Sequence, residues 1–158
     1  MKQITFTDLQ RQSELAANSP RLRAHRNFHP EFSDPVQRLA IAMEPGTYVR
    51  PHRHPQTFEL LISLCGRFLV LIFDDNGNVT HRVVLGEDCK VLEMDAGTWH
   101  AVLSMDKSGV IFEVKYGGYQ PVSEQDAALW APAENEPGTA RLMEWYALAQ
   151  VGDGGFTL

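Results

Sequence analysis

The sequence predicts one all-β domain, an antiparallel sandwich or barrel with a short helix near each end, and three observations predict it. From Arg38 onward the chain breaks into seven short runs rich in Val, Ile, Leu and Phe: RLAIAME, FELLISL, RFLVLIF, VTHRVVL, KVLEM, WHAVLS and VIFEVK. Closely spaced runs of this kind, separated by turn residues, are the strands of a sandwich or barrel. Helical patterns flank this body instead of alternating with its strands, which disfavours a parallel α/β arrangement. The 158 residues, 44% hydrophobic and 22% charged with no Gly- or Ser-rich linker, suit a single domain over 1–158 with one core.

Taken in order, FTDLQRQSELAANSP reads as a helix capped by Thr7, with Phe6, Leu9 and Ala16 as its apolar stripe and the Asn-Ser-Pro at 18–20 as its stop. In RAHRNFHPEFSD, Pro30 and Pro35 argue against long regular structure, so residues 1–35 are expected to be helical or irregular. The β body is expected over about 36–118. Within it, Asn76-Gly77 of DDNGN supplies the positive φ values of a tight hairpin turn. After Tyr119 the strand pattern fades, APAENEPG forms a loop, and TARLMEWYALAQ places Leu142, Met143, Trp145, Tyr146 and Ala149 at helical spacing.

The N-terminus has no apolar signal region, and the longest apolar run is broken by Gly66-Arg67, so neither a leader nor a membrane span is expected. Cys65 and Cys89 are too few for a disulfide framework and lack a C-x-x-C spacing, which agrees with a reducing, cytoplasmic compartment. A net charge of -6 argues against nucleic acid or an anionic membrane as the main partner. Residues 1–54 nevertheless carry 8 of the 14 Lys and Arg and only 5 of the 20 acids. These side chains are either a solvated surface or, at some of Arg26, Arg38, Arg50 and Arg53, the contacts of an anionic ligand, since guanidinium matches carboxylate and phosphate.

The chemistry-bearing stretch is RPHRHPQTFE. His52 and His54 are two apart, so on an extended strand both project from one face. Glu59 has the wrong parity for that strand, but a bend at Pro55 lets it open the next strand and turn inward. His100 in DAGTWHAVLS is the fourth candidate, with Gly97 allowing a tight approach. Spacing alone leaves two readings of H-x-H, a surface or ladder pair and a metal site. Three imidazoles and a carboxylate suit one divalent transition ion, Fe, Mn, Ni, Co or Zn, and an octahedral ion held by four protein atoms keeps two positions open.

The wider frame is Gly46, five residues, His52-Arg53-His54, four residues, Glu59, six residues, Gly66. This G-x5-H-x-H-x4-E-x6-G frame resembles the first cupin motif at every specified position. The second, G-x5-P-x-G-x2-H-x3-N, is met in part: Gly97 and His100 fit, while Cys89, Asp95 and Ser104 stand where glycine, proline and asparagine are usual. More narrowly, Arg26 to Glu113 is similar to the WbuC family of cupin-fold metalloproteins associated with bacterial polysaccharide biosynthesis. The resemblance implies a jelly-roll β-barrel, a metal ion held inside by His52, His54, Glu59 and His100, and a homodimer.

Tyr48 and Arg50 share parity with the histidines, so they and Gln56 are expected as substrate contacts, together with Arg26 and His29 from the N-terminal stretch. The other reading of Arg50 pairs it with Glu59 or Glu113; Glu113 in turn pairs with Lys115 or Arg67. Arg53 has the opposite parity and is expected to point outward, His81 to be solvated, and Trp99 to form pocket wall or core. His25 is either a ligand contact or a loop residue, and the catalytic acid or base is not identified. The expected activity is that of a metal-dependent isomerase or oxygenase on a small anionic molecule such as a sugar or nucleotide sugar. The alternative is a non-catalytic metal-containing ligand-binding or sensor protein.

Overall fold

The computed structural model describes residues 1–154 and 156. Its elements are α1 (Phe6–Ala17), β1 (Arg23–Asn27), β2 (Val36–Met43), β3 (Glu59–Cys65), β4 (Phe68–Phe73), β5 (Val79–Leu85), β6 (Val91–Met94), β7 (Trp99–Ser104), β8 (Gly109–Tyr116) and α2 (Thr139–Leu148). All seven anticipated runs are strands. They form two antiparallel sheets, one in the order β1-β2-β8-β3-β6 and one in the order β5-β4-β7. The two sheets make the expected all-β jelly roll of cupin type. Among the described residues no helix is long and apolar enough to cross a membrane.

Side-chain alternation on the strands sorts the apolar residues into three clusters. Between the sheets lie Met43, Leu61, Phe68, Val70, Met94 and Ile111. On the outer face of the three-stranded sheet, Leu69, Leu71 and Phe73 meet Leu142 and Tyr146 of α2. The unbroken apolar run of β4 is therefore buried on both faces, the odd positions under the C-terminal segment and the even ones toward the inter-sheet core. In the third cluster Ala16 of α1 packs on Ala40, Ala42 and Val110.

Three local expectations are corrected. Thr5, not Thr7, caps α1: its hydroxyl accepts the Asp8 N–H while the Asp8 carboxylate accepts the Thr5 N–H, a reciprocal box that begins the helix earlier than expected. Phe6 is exposed, because α1 is anchored instead by Ala16, Ser13 and Gln12, whose Nε2 donates to Ala24 O and Ala40 O. The stretch expected to be irregular contains β1, which Gln12 helps order and which pairs with β2 from Arg23↔Met43 to Asn27↔Leu39.

The hairpin between β4 and β5 is wider than a two-residue turn. Asp74 accepts the N–H groups of Asn76 and Asn78, and of the expected pair only Gly77 has a positive φ, +82°. A Cβ there would lie 2.8 Å from the Trp130 ring. Gly77→Ala is expected to destabilise the fold by about 1–2 kcal/mol, the cost of a left-handed non-glycine residue. Urea unfolding that leaves the midpoint unchanged would contradict it.

Candidate metal centre

The segment before β3 brings the candidate ligands together by backbone pairing. His52 exchanges two hydrogen bonds with His100 of β7, His52 N–H to His100 O at 3.1 Å and the reverse at 3.0 Å. On its other side Arg53 N–H donates to Asp126 O and Ala128 N–H to Pro51 O, so the ligand strand is held between β7 and the C-terminal segment. After His54 the chain turns at Pro55, with Thr57 N–H reaching back to His54 O at 3.4 Å, and enters the other sheet at Glu59. Gly97 sets the turn into β7: its φ is +82° and its N–H donates to His54 O at 2.9 Å. Nothing lies within 4 Å of where its Cβ would be, so the glycine supplies backbone conformation and not the expected close approach.

One donor atom from each of His52, His54, Glu59 and His100 falls within 4.8 Å of the others. Glu59 Oε2 is 3.3 Å from His54 Nε2 and 3.0 Å from His100 Nε2. The Nδ1 atoms of His52 and His100 each lie 2.9 Å from a backbone carbonyl, those of Arg50 and Thr98. A carbonyl only accepts, so both rings carry their proton on Nδ1 and turn a bare Nε2 inward. Glu59 Oε2 and His100 Nε2 are buried and, despite their 3.0 Å separation, make no hydrogen bond. Two buried lone pairs face each other, an arrangement that a cation between them resolves.

The electrostatics agree. Burial, aided by His100, pushes His52 down to about 3, so its imidazole is neutral and free to coordinate. Burial pushes the Glu59 carboxyl up, but His100, His54 and Lys115 together hold it well below its usual range, as a carboxylate. For His100, burial lowers the pKa and Glu59 more than reverses this, because a proton on Nε2 relieves the same facing lone pairs that a metal ion would.

Two neighbouring chambers flank this cluster and share four lining residues. The inner one, about 160 Å³, is lined by His52, Glu59 and His100 over an apolar floor that includes Leu61, Val102 and Ile111. The outer one, about 570 Å³, carries His54, Asn27, Gln56 and Thr57, with Phe32 and Tyr119 among its aromatic lining. His25, Ile41, Glu113 and Lys115 line both and form the neck. Burial, with the Glu59 charge alongside, pushes the Glu113 carboxyl up to about 7.

Residues 4–85 match the model of a family described as "Domain of unknown function (DUF6016)", a stretch that includes His52, His54 and Glu59. The chain belongs to the DUF6016 family. No curated protein matches it. Among solved structures it is similar to a Thermus thermophilus protein, TT1209, with a TM-score of 0.53 and 20% identity over 70% of this chain and 94% of that one. A Bacillus halodurans protein gives a TM-score of 0.50 and 16% identity, covering 70% of this chain and 81% of that one. Oxalate oxidase in complex with the substrate analogue glycolate gives 0.51 and 19%, with 66% of this chain but only 55% of that chain covered. At these identities the likeness is one of fold.

In this DUF6016 chain the expected ligand contacts divide. Gln56 and His29 line the outer chamber, His29 with its Nδ1 accepting the Arg38 N–H at 3.0 Å. Arg26 does not line either chamber: it is paired with Asp8 of α1 at 2.8 Å, where the capping backbone and this guanidinium hold the carboxyl well below its usual range. Tyr48 and Arg50 do not line either chamber. The Tyr48 hydroxyl donates to Pro132 O within the outer cluster, and Arg50 Nε donates to Ala128 O and Ala131 O, each at 3.1 Å. Parity fixes a face only along an unbroken strand, whereas residues 46–51 are turn and coil, which frees these side chains to face the C-terminal segment. Arg50 pairs with Glu124, not with Glu59 or Glu113.

Arg53 lies over the Trp99 ring at 4.6 Å and pairs with Asp126, and Trp99 donates to Asp75, so both belong to the outer packing. His81 is exposed, as expected. The neck residues Glu113 and Lys115, 2.8 Å apart, are the part of the site that the motif does not contain. Their signal lies in β8, where Ile111, Glu113 and Lys115 share one face and Lys115 is the register partner of Glu59.

Proposed function

We propose that the protein binds one divalent transition ion through His52, His54, Glu59 and His100, and holds a small anionic molecule that reaches the ion through the outer chamber. The observation that carries this is the pair of buried, facing acceptors, Glu59 Oε2 and His100 Nε2, with the His100 proton locked on Nδ1 by Thr98. The donor set suits Fe, Mn, Co, Ni or Zn, and such an ion supplies Lewis-acid polarisation of a coordinated oxygen, or redox chemistry if it is Fe or Mn.

The chain's own residues do the rest. The outer chamber, about 570 Å³, is of the size that takes a whole small-molecule ligand. Its amides, Asn27, Gln37 and Gln56, are hydrogen-bonding groups for a polyhydroxylated compound. Together with the resemblance to the WbuC family, this favours a sugar or nucleotide sugar, with isomerisation or oxygenation as the reaction class. The apolar floor of the inner chamber, Leu61, Val102 and Ile111, offers water no hydrogen bonds at the reacting end.

Elemental analysis of protein purified and then reconstituted with each candidate ion is expected to show about one ion per chain. Absence of metal in every sample would overturn the reading. Incubation of the loaded protein with sugar nucleotides, with and without oxygen, then separates turnover from simple binding.

A further inference from the structure

Lys115 stands where the two chambers meet, on the inward face of β8, with its side chain about four-fifths buried. Its ammonium has three N–H groups. One is met by Glu113 Oε1 at 2.8 Å, and the next acceptor is His54 Nε2 at 3.4 Å. That nitrogen faces the ligand cluster, 3.3 Å from Glu59 Oε2. An ion that takes the His54 lone pair removes this acceptor from Lys115 and repels the ammonium from the centre. A buried donor without a partner is costly, so the loaded site leaves Lys115 in need of an oxygen from the chamber.

Resting on the metal reading above, and narrowing its ligand from a nucleotide sugar to an acid of the sugar class, we propose that Lys115 is the anion-binding residue of the site, that metal loading creates this subsite, and that the group it takes is a single carboxylate. The charge balance selects the carboxylate. Among the described residues Lys115 is the one Lys or Arg that lines both chambers, whereas Arg21 lines the outer and Arg23 the inner one and the two share Glu134. A single ammonium at the neck is matched by a singly charged group and exceeded by a dianionic phosphate. Because metal and carboxylate favour the same arrangement of Lys115, each raises the affinity for the other by the same factor.

The test uses cobalt(II) as the metal, with acetate and inorganic phosphate as probes, titrated calorimetrically into apo and desalted cobalt-loaded protein. Acetate is expected to bind the loaded form about 10-fold more tightly than the apo form. Lys115→Met is expected to keep its cobalt and lose about 10-fold in acetate affinity. Lys115→Met/Glu113→Gln, which removes both charges of the pair, gives the same reading should the single variant fail to fold. Equal acetate affinity for apo and loaded protein, or unchanged affinity in the loaded variants, overturns Lys115 as the anion site. Tighter binding of phosphate than of acetate overturns the carboxylate. Failure of the wild type to take up cobalt is seen in its ion content before any acetate is added; the titrations are then run with whichever of Fe, Mn, Ni or Zn it does take up, and uptake of none overturns the metal reading itself.

Discussion

Saturating the protein with its metal at about 1,000 times the dissociation constant is expected to raise the unfolding midpoint by about 8–16 °C. An ion that binds only the folded chain stabilises it by about 4.1 kcal/mol at that excess. For a chain of this size each kcal/mol moves the midpoint by about 2–4 °C. The physical source is local: the apo site keeps Glu59 and His100 buried with facing lone pairs, and the ion converts that cost into coordination. Excess chelator should reverse the shift. His100→Ala and His52→Ala should each remove most of it, whereas His81→Ala, at an exposed position on β5, should leave it intact. A shift below about 2 °C at saturation, or one that survives loss of His100, would mean that the ion binds elsewhere.

The ligand cluster is legible in the sequence because its placement depends on short-range rules. His52 and His54 share a face by alternation, Pro55 turns the chain, and Glu59 opens β3 with its side chain buried. The strands are legible for the same reason, since seven apolar runs bounded by turn residues leave few alternatives. What resists reading is set by partners far away in the chain. Strand β1, RAHRN, has no alternation of its own and is made a strand by its pairing with β2 and by Gln12. Tyr48 and Arg50 have the parity of cavity residues, but their hydrogen-bond partners lie about 80 residues later, in a segment with no strand signal. Glu113 and Lys115 stand between these cases: their pairing is one of two readings of the sequence, and only the β3–β8 register shows that they face the cluster.

Arg50→Ala distinguishes the two accounts of that residue. In the structure, Arg50 Nε shares its proton between Ala128 O and Ala131 O, and its guanidinium pairs with the exposed Glu124. The exposed pair contributes little, but a charge-assisted bond to half-buried carbonyls is worth about 2 kcal/mol. Truncation should therefore lower the unfolding midpoint by about 4–8 °C. It should also weaken metal binding by about 10-fold, as loss of an outer-shell support does. The path is physical: residues 126–128 form the outer neighbour of the ligand strand through Arg53 N–H to Asp126 O and Ala128 N–H to Pro51 O, and His52 takes its orientation from Arg50 O. Once the segment frays, His52 is held by β7 alone. Arg50→Lys should not restore the wild-type midpoint, because lysine has no N–H where Arg50 Nε meets both carbonyls. Carboxylate affinity of the fully metal-loaded Arg50→Ala protein should match the wild type, since Arg50 lines neither chamber. The opposite pattern, an unchanged midpoint with lost anion affinity, would return Arg50 to the cavity where strand parity alone would put it.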